Sequence, residues 1–161
     1  MLIRQAQVSD FPRILDINAT EEEKTSRIDL ARITQLDSWS DYHRVAVVED
    51  EVIGFLLVMS EASDYDGENF RWFAERHRRF LYVDRIVIDR AVARRGVGSA
   101  LYGDLIQFAA THGWSQLCCE INVSPPNPVS HTFHAGFGFK EEGRSAEAGA
   151  SKVVSYQVAE L

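Results

Sequence analysis

Three arginines, two glycines and the first turn of a helical pattern meet in "DRAVARRGVGSAL", residues 89–101. An apolar strand pattern, "LYVDRIVID", runs directly into it. A strand, a glycine turn and a helix bring backbone N–H groups together at one point, and the helix dipole makes that point favourable for an anion. Gly96 and Gly98 have no Cβ, so a phosphate can approach the main chain closely. Arg94 and Arg95 add full charges beside the amides of Val97, Gly98 and Ser99. Two carboxylates interrupt otherwise apolar strands: Asp84 in "YVDRIVI" and Glu120 in "LCCEINV". A buried carboxylate is costly unless paired, so each is a candidate for proton transfer. For Asp84 the competing reading is an ion pair with Arg85 or another arginine. His134 titrates near neutrality and could act as an acid, or it could simply pack beside Phe133 and Phe137. Cys118 and Cys119 offer thiols, but cysteine is also a common core residue. No Cys/His spacing matches a zinc site, and no metal is expected.

The chain reads as one domain over residues 1–161 with room for a sizeable core. "LIRQAQ" predicts a first strand. Ser9 is a candidate N-cap for a helix with Pro12 in its first turn and Phe11, Ile14, Leu15 and Asn18 on one face. "SRIDLARITQL" predicts a second helix. "HRVAVVEDEVIGFLLVMS" predicts a hairpin turning around Asp50. "NFRWFAERHRRF" reads as a short helix or a loop. Gly98 to His112 predicts a long helix that ends at Gly113, with Leu101, Leu105, Phe108 and Ala109 inward. "SQLCCEINV" predicts a strand. Asn127 is a candidate N-cap of a short helix with Pro128 at its first position. "FGFKEEG" and "KVVSYQVAEL" predict a final antiparallel pair. The expected fold is α/β, with about seven strands in a mixed sheet and about four helices.

Of the anion-binding turns with known chemistry, a P-loop requires a lysine after its glycines, and none is present. A dinucleotide fingerprint requires a third glycine where Leu101 stands. The turn that fits is the pyrophosphate turn of coenzyme A in acyltransferases. "YVDRIVIDRAVARRGVGSAL" resembles the coenzyme A motif of the GNAT N-acetyltransferase superfamily, an apolar strand followed by [RQ]-x-x-G-x-[GA] opening a long helix. The six positions fall on Ala93 to Gly98. Ala93 departs from the usual Arg or Gln, and Arg94 is placed to supply the missing donor. "NPVSHTFHAGFGF", residues 127–139, resembles the family's late segment N-x-x-A-x-x-[LF]-Y-x-x-x-G-F, with His134 where many relatives carry tyrosine.

The resemblance implies a mostly antiparallel GNAT-type sheet whose strands 4 and 5 splay around acetyl-CoA, the cosubstrate. It implies pantetheine contacts from the backbone of Ile86, Val87 and Ile88. Asn127 and Phe133 join Arg94, Arg95, Gly96, Val97, Gly98 and Ser99 as coenzyme contacts. It implies an N-acetyltransferase in which a primary amine attacks the thioester directly and His134 protonates the departing thiolate; Glu120, Asp84 or a water wire is expected to take the amine proton. Some ribosomal-protein acetyltransferases of the superfamily carry a glutamate at the Glu120-like position. The rival reading is a silent coenzyme A-binding sensor or regulatory protein.

The acceptor, a small-molecule or peptide amine, is expected to enter between the first two helices and the loop before strand 4. There the aromatics and arginines Phe70, Arg71, Trp72, Phe73, Arg76, Arg78 and Arg79 form either an acceptor wall or a packed surface helix. Glu21, Glu22 and Glu23 either attract a cationic amine or are solvated. The formal charge of −7 argues against a surface dedicated to nucleic acid. No apolar run reaches membrane-spanning length. The adjacent cysteines cannot staple distant segments, which fits a reducing cytoplasm, and homodimerisation is common in the superfamily.

Overall fold

The computed structural model describes residues 1–22, 25–145 and 152–161. Seven strands form one sheet: β1 (Leu2–Gln5), β2 (Tyr42–Val48), β3 (Glu51–Ser60), β4 (Leu81–Ile88), β5 (Gln116–Ser124), β6 (Lys140–Arg144) and β7 (Val153–Glu160). Their order is β1-β2-β3-β4-β5-β7-β6. Every neighbouring pair is antiparallel except β4 with β5. Among the described residues, five α-helices cover the faces. Those of α1 (Phe11–Ala19), α2 (Leu30–Trp39) and α3 (Glu68–Ala74) pack into one apolar cluster, and α4 (Val97–His112) packs into the other with Phe133 of α5 (Pro128–Ala135) against it. The expected mixed, mostly antiparallel sheet is present, and the segment left open between helix and loop is the helix α3.

Local signals explain most boundaries. Glu49 and Asp50 both take positive φ, as a two-residue hairpin turn demands, and bring Val48 opposite Glu51. Gly113 ends α4 in the left-handed conformation. Asn127 caps α5, its side chain accepting from the Ser130 amide. Ser9 is not a cap. It lies in a short 3-10 turn, and Asp10 is the N-cap of α1, its carboxylate taken by Arg4 and by the Gln7 amide. α2 starts at Leu30, later than Ser26, because Asp29 accepts from the Arg32 amide and stops the helix there. No described helix is long and apolar enough to cross a membrane.

One irregularity shapes the centre of the sheet. On β4, Val83 lies opposite Val58 and Arg85 opposite Leu57, which leaves Asp84 without a partner on β3. This is a β-bulge, and it reverses the alternation beyond it. Tyr82 and Val87 therefore belong to the cluster on the α1 side, while Val83 belongs to the α4 side with Ile86 and Ile88 packed against it. Immediately before the bulge, β4 stops pairing with β5. The two strands bond only at Leu81–Leu117 and Tyr82–Cys118.

Candidate active site

The divergence of β4 from β5 opens a cavity of about 940 Å³. Its walls include β4 from Tyr82 to Ile88, β5 from Cys119 to Asn122, and the turn into α4. Along β4, the run from Tyr82 to Ile88 spans about 20 Å. One end of the cavity is therefore the α4 N-terminus, and the other is the bulge region.

At the first end, Gly96 holds φ +80 at the start of α4, and a Cβ there would meet nothing within 4 Å. The space above this glycine is open to a ligand. Val97, Gly98 and Ser99, whose amides lack helical partners, line the same space. Gly98 answers to packing instead: a Cβ would lie 3.2 Å from the Phe133 ring. Its missing side chain lets α5 close on α4. Arg94 lines the cavity, with a positive φ that is uncommon outside glycine. Arg95 is exposed and does not line it. Ile86, Val87, Ile88, Asn127 and Phe133 are all in the wall.

At the second end stands Glu120. The Tyr82 hydroxyl donates to its Oε2 at 2.5 Å. Burial pushes the carboxyl up to about 7, against the Tyr82 hydrogen bond, which favours the charged form; the nearby Asp84 charge adds to the rise. Asp84 is itself almost fully covered and paired. Its Oδ2 accepts from Arg85 Nε at 2.7 Å, and the Tyr65 hydroxyl donates to Oδ1. Because of the bulge, these consecutive residues share one face. Arg85 also donates to Asn18 Oδ1 (3.2 Å), to the Ser26 carbonyl (2.8 Å) and to Ser26 Oγ (3.0 Å), which ties the segment after α1 to β4.

His134 lines the cavity but is 4% exposed, and both ring nitrogens are engaged. The Tyr102 hydroxyl donates to Nε2 at 2.7 Å, and Nδ1–H donates to the Ser130 carbonyl at 2.8 Å. Burial pushes the ring below the ordinary imidazole range. Cys118 and Cys119 are buried free thiols whose ionisation burial opposes, as packing residues require.

The aromatic and arginine segment turns its side chains away from the cavity. Phe70 and Phe73 enter the core. Trp72 stacks on Tyr156 at 4.2 Å with Arg76 over its ring, and Arg79 caps the end of α4. The cavity wall takes Tyr65, Glu68 and Asn69 instead, none of which sequence reasoning singled out. Tyr82 was also missed, although period-two alternation from Asp84 could have found it. Glu21 lines the cavity and pairs with Arg90, and Glu22 faces Arg27. Glu23 lies outside the described residues.

Residues 4–139 match the family model described as the acetyltransferase (GNAT) family. No curated protein matches the sequence. Among solved structures, the chain is similar to the ribosomal-protein-alanine N-acetyltransferase of Brucella melitensis, with 22% identity, TM-score 0.73 and all of both chains covered. It is similar to Ard1 of Thermoplasma volcanium, with 18% identity, TM-score 0.79 and 99% and 97% of the two chains covered. It also resembles the yncA protein of Salmonella typhimurium, solved with its cofactor acetyl-CoA, at 19% identity, TM-score 0.72 and coverage of 100% and 94%.

Proposed function

Since the chain belongs to the GNAT acetyltransferase family, we propose that it transfers an acetyl group from acetyl-CoA to a primary amine by direct attack. The observation that carries this reading is the cleft between β4 and β5, with the first turn of α4 and its unpartnered amides at one end and the buried Glu120 carboxyl at the other. The diphosphate of the coenzyme would lie on the amides of Val97, Gly98 and Ser99, with Arg94 closing over it. The pantetheine arm would follow the unpaired edge of β4 at Ile86, Val87 and Ile88, beside Asn127 and Phe133. A backbone N–H near the bulge would polarise the thioester carbonyl.

An arriving ammonium must lose a proton before it can attack. Glu120 is suited to take it: at about 7 its carboxylate is both populated and basic near neutrality. The nitrogen then bonds the acetyl carbon, the C–S bond breaks so that coenzyme A leaves as a thiolate, and the second nitrogen proton passes to solvent to leave the neutral amide, with Glu120 returning its own proton to solvent before the next turnover. Asp84 has both oxygens engaged and acts on Glu120 through its charge. His134 has no N–H directed at the cavity, and in its neutral state it holds Tyr102 and Ser130 in place. We therefore assign the thiolate's proton to solvent. His134→Gln, which can keep both hydrogen bonds, is expected to lower kcat by less than about 10-fold. An acid role would cost about 100-fold, and that larger loss would restore the histidine as the donor.

The test of the reading is twofold. Acetyl-CoA titrated into the protein is expected to bind with measurable heat, and thiol release is expected to depend on an added primary amine from a mixed panel. No binding, or binding without amine-dependent release, overturns it. Within that experiment, Arg94→Ala is expected to weaken acetyl-CoA binding by about 10-fold, the worth of one charge-assisted contact. Arg95→Ala is expected to change it by less than about 3-fold. Equal losses would show that both arginines, or the general field, hold the phosphates.

A further inference from the structure

The β3–β4 connection carries the helix α3, which contributes the Glu68 carboxyl and the amide of Asn69 to the cavity. The Tyr156 hydroxyl, on β7, donates to Asn69 Oδ1 at 3.1 Å. That bond fixes which way the amide faces, because its oxygen is taken and its NH2 remains for the other side. On the other side is Glu120, which lies opposite Tyr156 in the β5–β7 register and lines the same cavity as Asn69; the nearby amide favours the charged form of the carboxyl. Tyr156 is held in turn. Its ring is stacked on Trp72 with an interplanar angle of 14°, and Phe73 meets it edge-on. Gly143 on β6 leaves the room that Trp72 needs, since a Cβ there would lie 2.7 Å from the indole. Three residues of α3 thus form one unit with β7: Trp72 and Phe73 lock the tyrosine, and the tyrosine locks Asn69.

We infer that Asn69 is the positioning residue for the proton-abstracting carboxylate: held by Tyr156, it orients Glu120 from α3 while Tyr82 holds it from β4. The inference rests on the assignment of Glu120 as the base. With the Tyr82 hydroxyl on Oε2 and the Asn69 amide beside it, the carboxylate keeps lone pairs open toward the cavity, where an ammonium would arrive. Without Asn69 the carboxylate loses its restraint from α3 and can rotate away from that line. The groups facing Glu120 are Asn69 and Glu68 from α3, Tyr82 and Asp84 with its partner Arg85 from β4, Tyr65 from the preceding loop, Cys119 from β5 and Tyr156 from β7. Of these, Asp84 opposes the ionisation of Glu120, whereas Tyr82 and Asn69 favour it.

The test reads Glu120 directly. Protein labelled with carboxyl-13C glutamate is titrated by NMR, the Glu120 signal being the one absent from Glu120→Gln. In Asn69→Ala the midpoint is expected to rise by about one pH unit, the loss of one hydrogen bond to a charged group. In Tyr156→Phe, which keeps the ring stacking but frees the amide to flip, it is expected to rise by a smaller amount. Asp84→Asn is expected to move it downward. With an amine that supports turnover, Asn69→Ala is expected to lower kcat about 10-fold at pH 7, shift the acidic limb of the kcat/KM profile upward with the NMR midpoint, and leave acetyl-CoA affinity unchanged. If Asn69→Ala fails to fold, Tyr156→Phe gives the same readouts. A Glu120 midpoint that stays put in a folded variant of either kind overturns the inference. Full turnover in Glu120→Gln overturns the assignment of the base instead, so the two failures are distinguishable.

Discussion

Glu120→Gln is expected to lower kcat by about 100- to 10,000-fold, the usual worth of a positioned general base, with acetyl-CoA affinity unchanged within two-fold. Glutamine is nearly isosteric, and its oxygen can still accept from the Tyr82 hydroxyl that now bonds Oε2. The substitution therefore removes proton affinity and little else. In the unmodified protein the rate should rise with pH through about 7, since the carboxyl must be ionised to act and burial holds it near that value. The variant's residual rate should lack that limb and follow only the amine's own ionisation. Stopped-flow or coupled thiol-release assays from pH 5.5 to 9 check both statements, and a variant that keeps full turnover removes Glu120 from the mechanism.

The same residue links function to stability. Its folded value of about 7 lies above the ordinary 4.5, so the fold favours the protonated form. Below about 4.5 both folded and unfolded chains carry the proton, and this favourable contribution is fully present. As pH rises from there through about 7, the unfolded chain ionises more readily, and the contribution is lost. Glu120→Gln should consequently unfold at nearly the same temperature as the parent at pH 4.5. It should be more stable at pH 8, by on the order of 1–3 kcal/mol. Thermal melts at the two pH values measure the difference directly.

Arg85→Ala is expected to cost about 3–5 kcal/mol of stability, as breaking a buried ion pair from one side does. For a domain of this size that is a fall in Tm of roughly 6–20 °C. Asp84 would be left charged under cover with only the Tyr65 hydroxyl for a partner. The bonds to Asn18 and Ser26 would go as well, releasing the segment between α1 and α2 from the sheet. Arg85→Lys should recover only a fraction, because an ammonium cannot reproduce a planar fork that serves Nε, Nη1 and Nη2 at once. Combining Asp84→Asn with Arg85→Ala should recover more, since no buried charge is then left unpaired. Thermal and urea unfolding of the three variants test the order. If Arg85→Ala is the most stable of them, the pair is not what anchors this region.

Much of the molecule is legible in the sequence because the relevant physics is local. The strand–turn–helix over residues 81–112, the hairpin at Glu49 and Asp50, and the Asn127 cap all depend on neighbours a few positions away. The two motif segments are read from single continuous stretches, and they suffice for the family and the fold. Glu120 stands out as a carboxylate in an apolar strand for the same reason. What only the tertiary structure decided involves residues far apart in the chain. The bulge at Asp84 arises from β3–β4 register, and it turns two consecutive side chains to one face where simple alternation would separate them. The partners of Glu120 and Asn69 come from across the sheet, 38 residues away for Tyr82 with Glu120 and 87 for Tyr156 with Asn69. His134 has a helix pattern visible in the sequence, but its bond to Tyr102 depends on α5 packing against α4. Periodicity and caps are written along the backbone, whereas the state of a titratable side chain is set by what folding places around it.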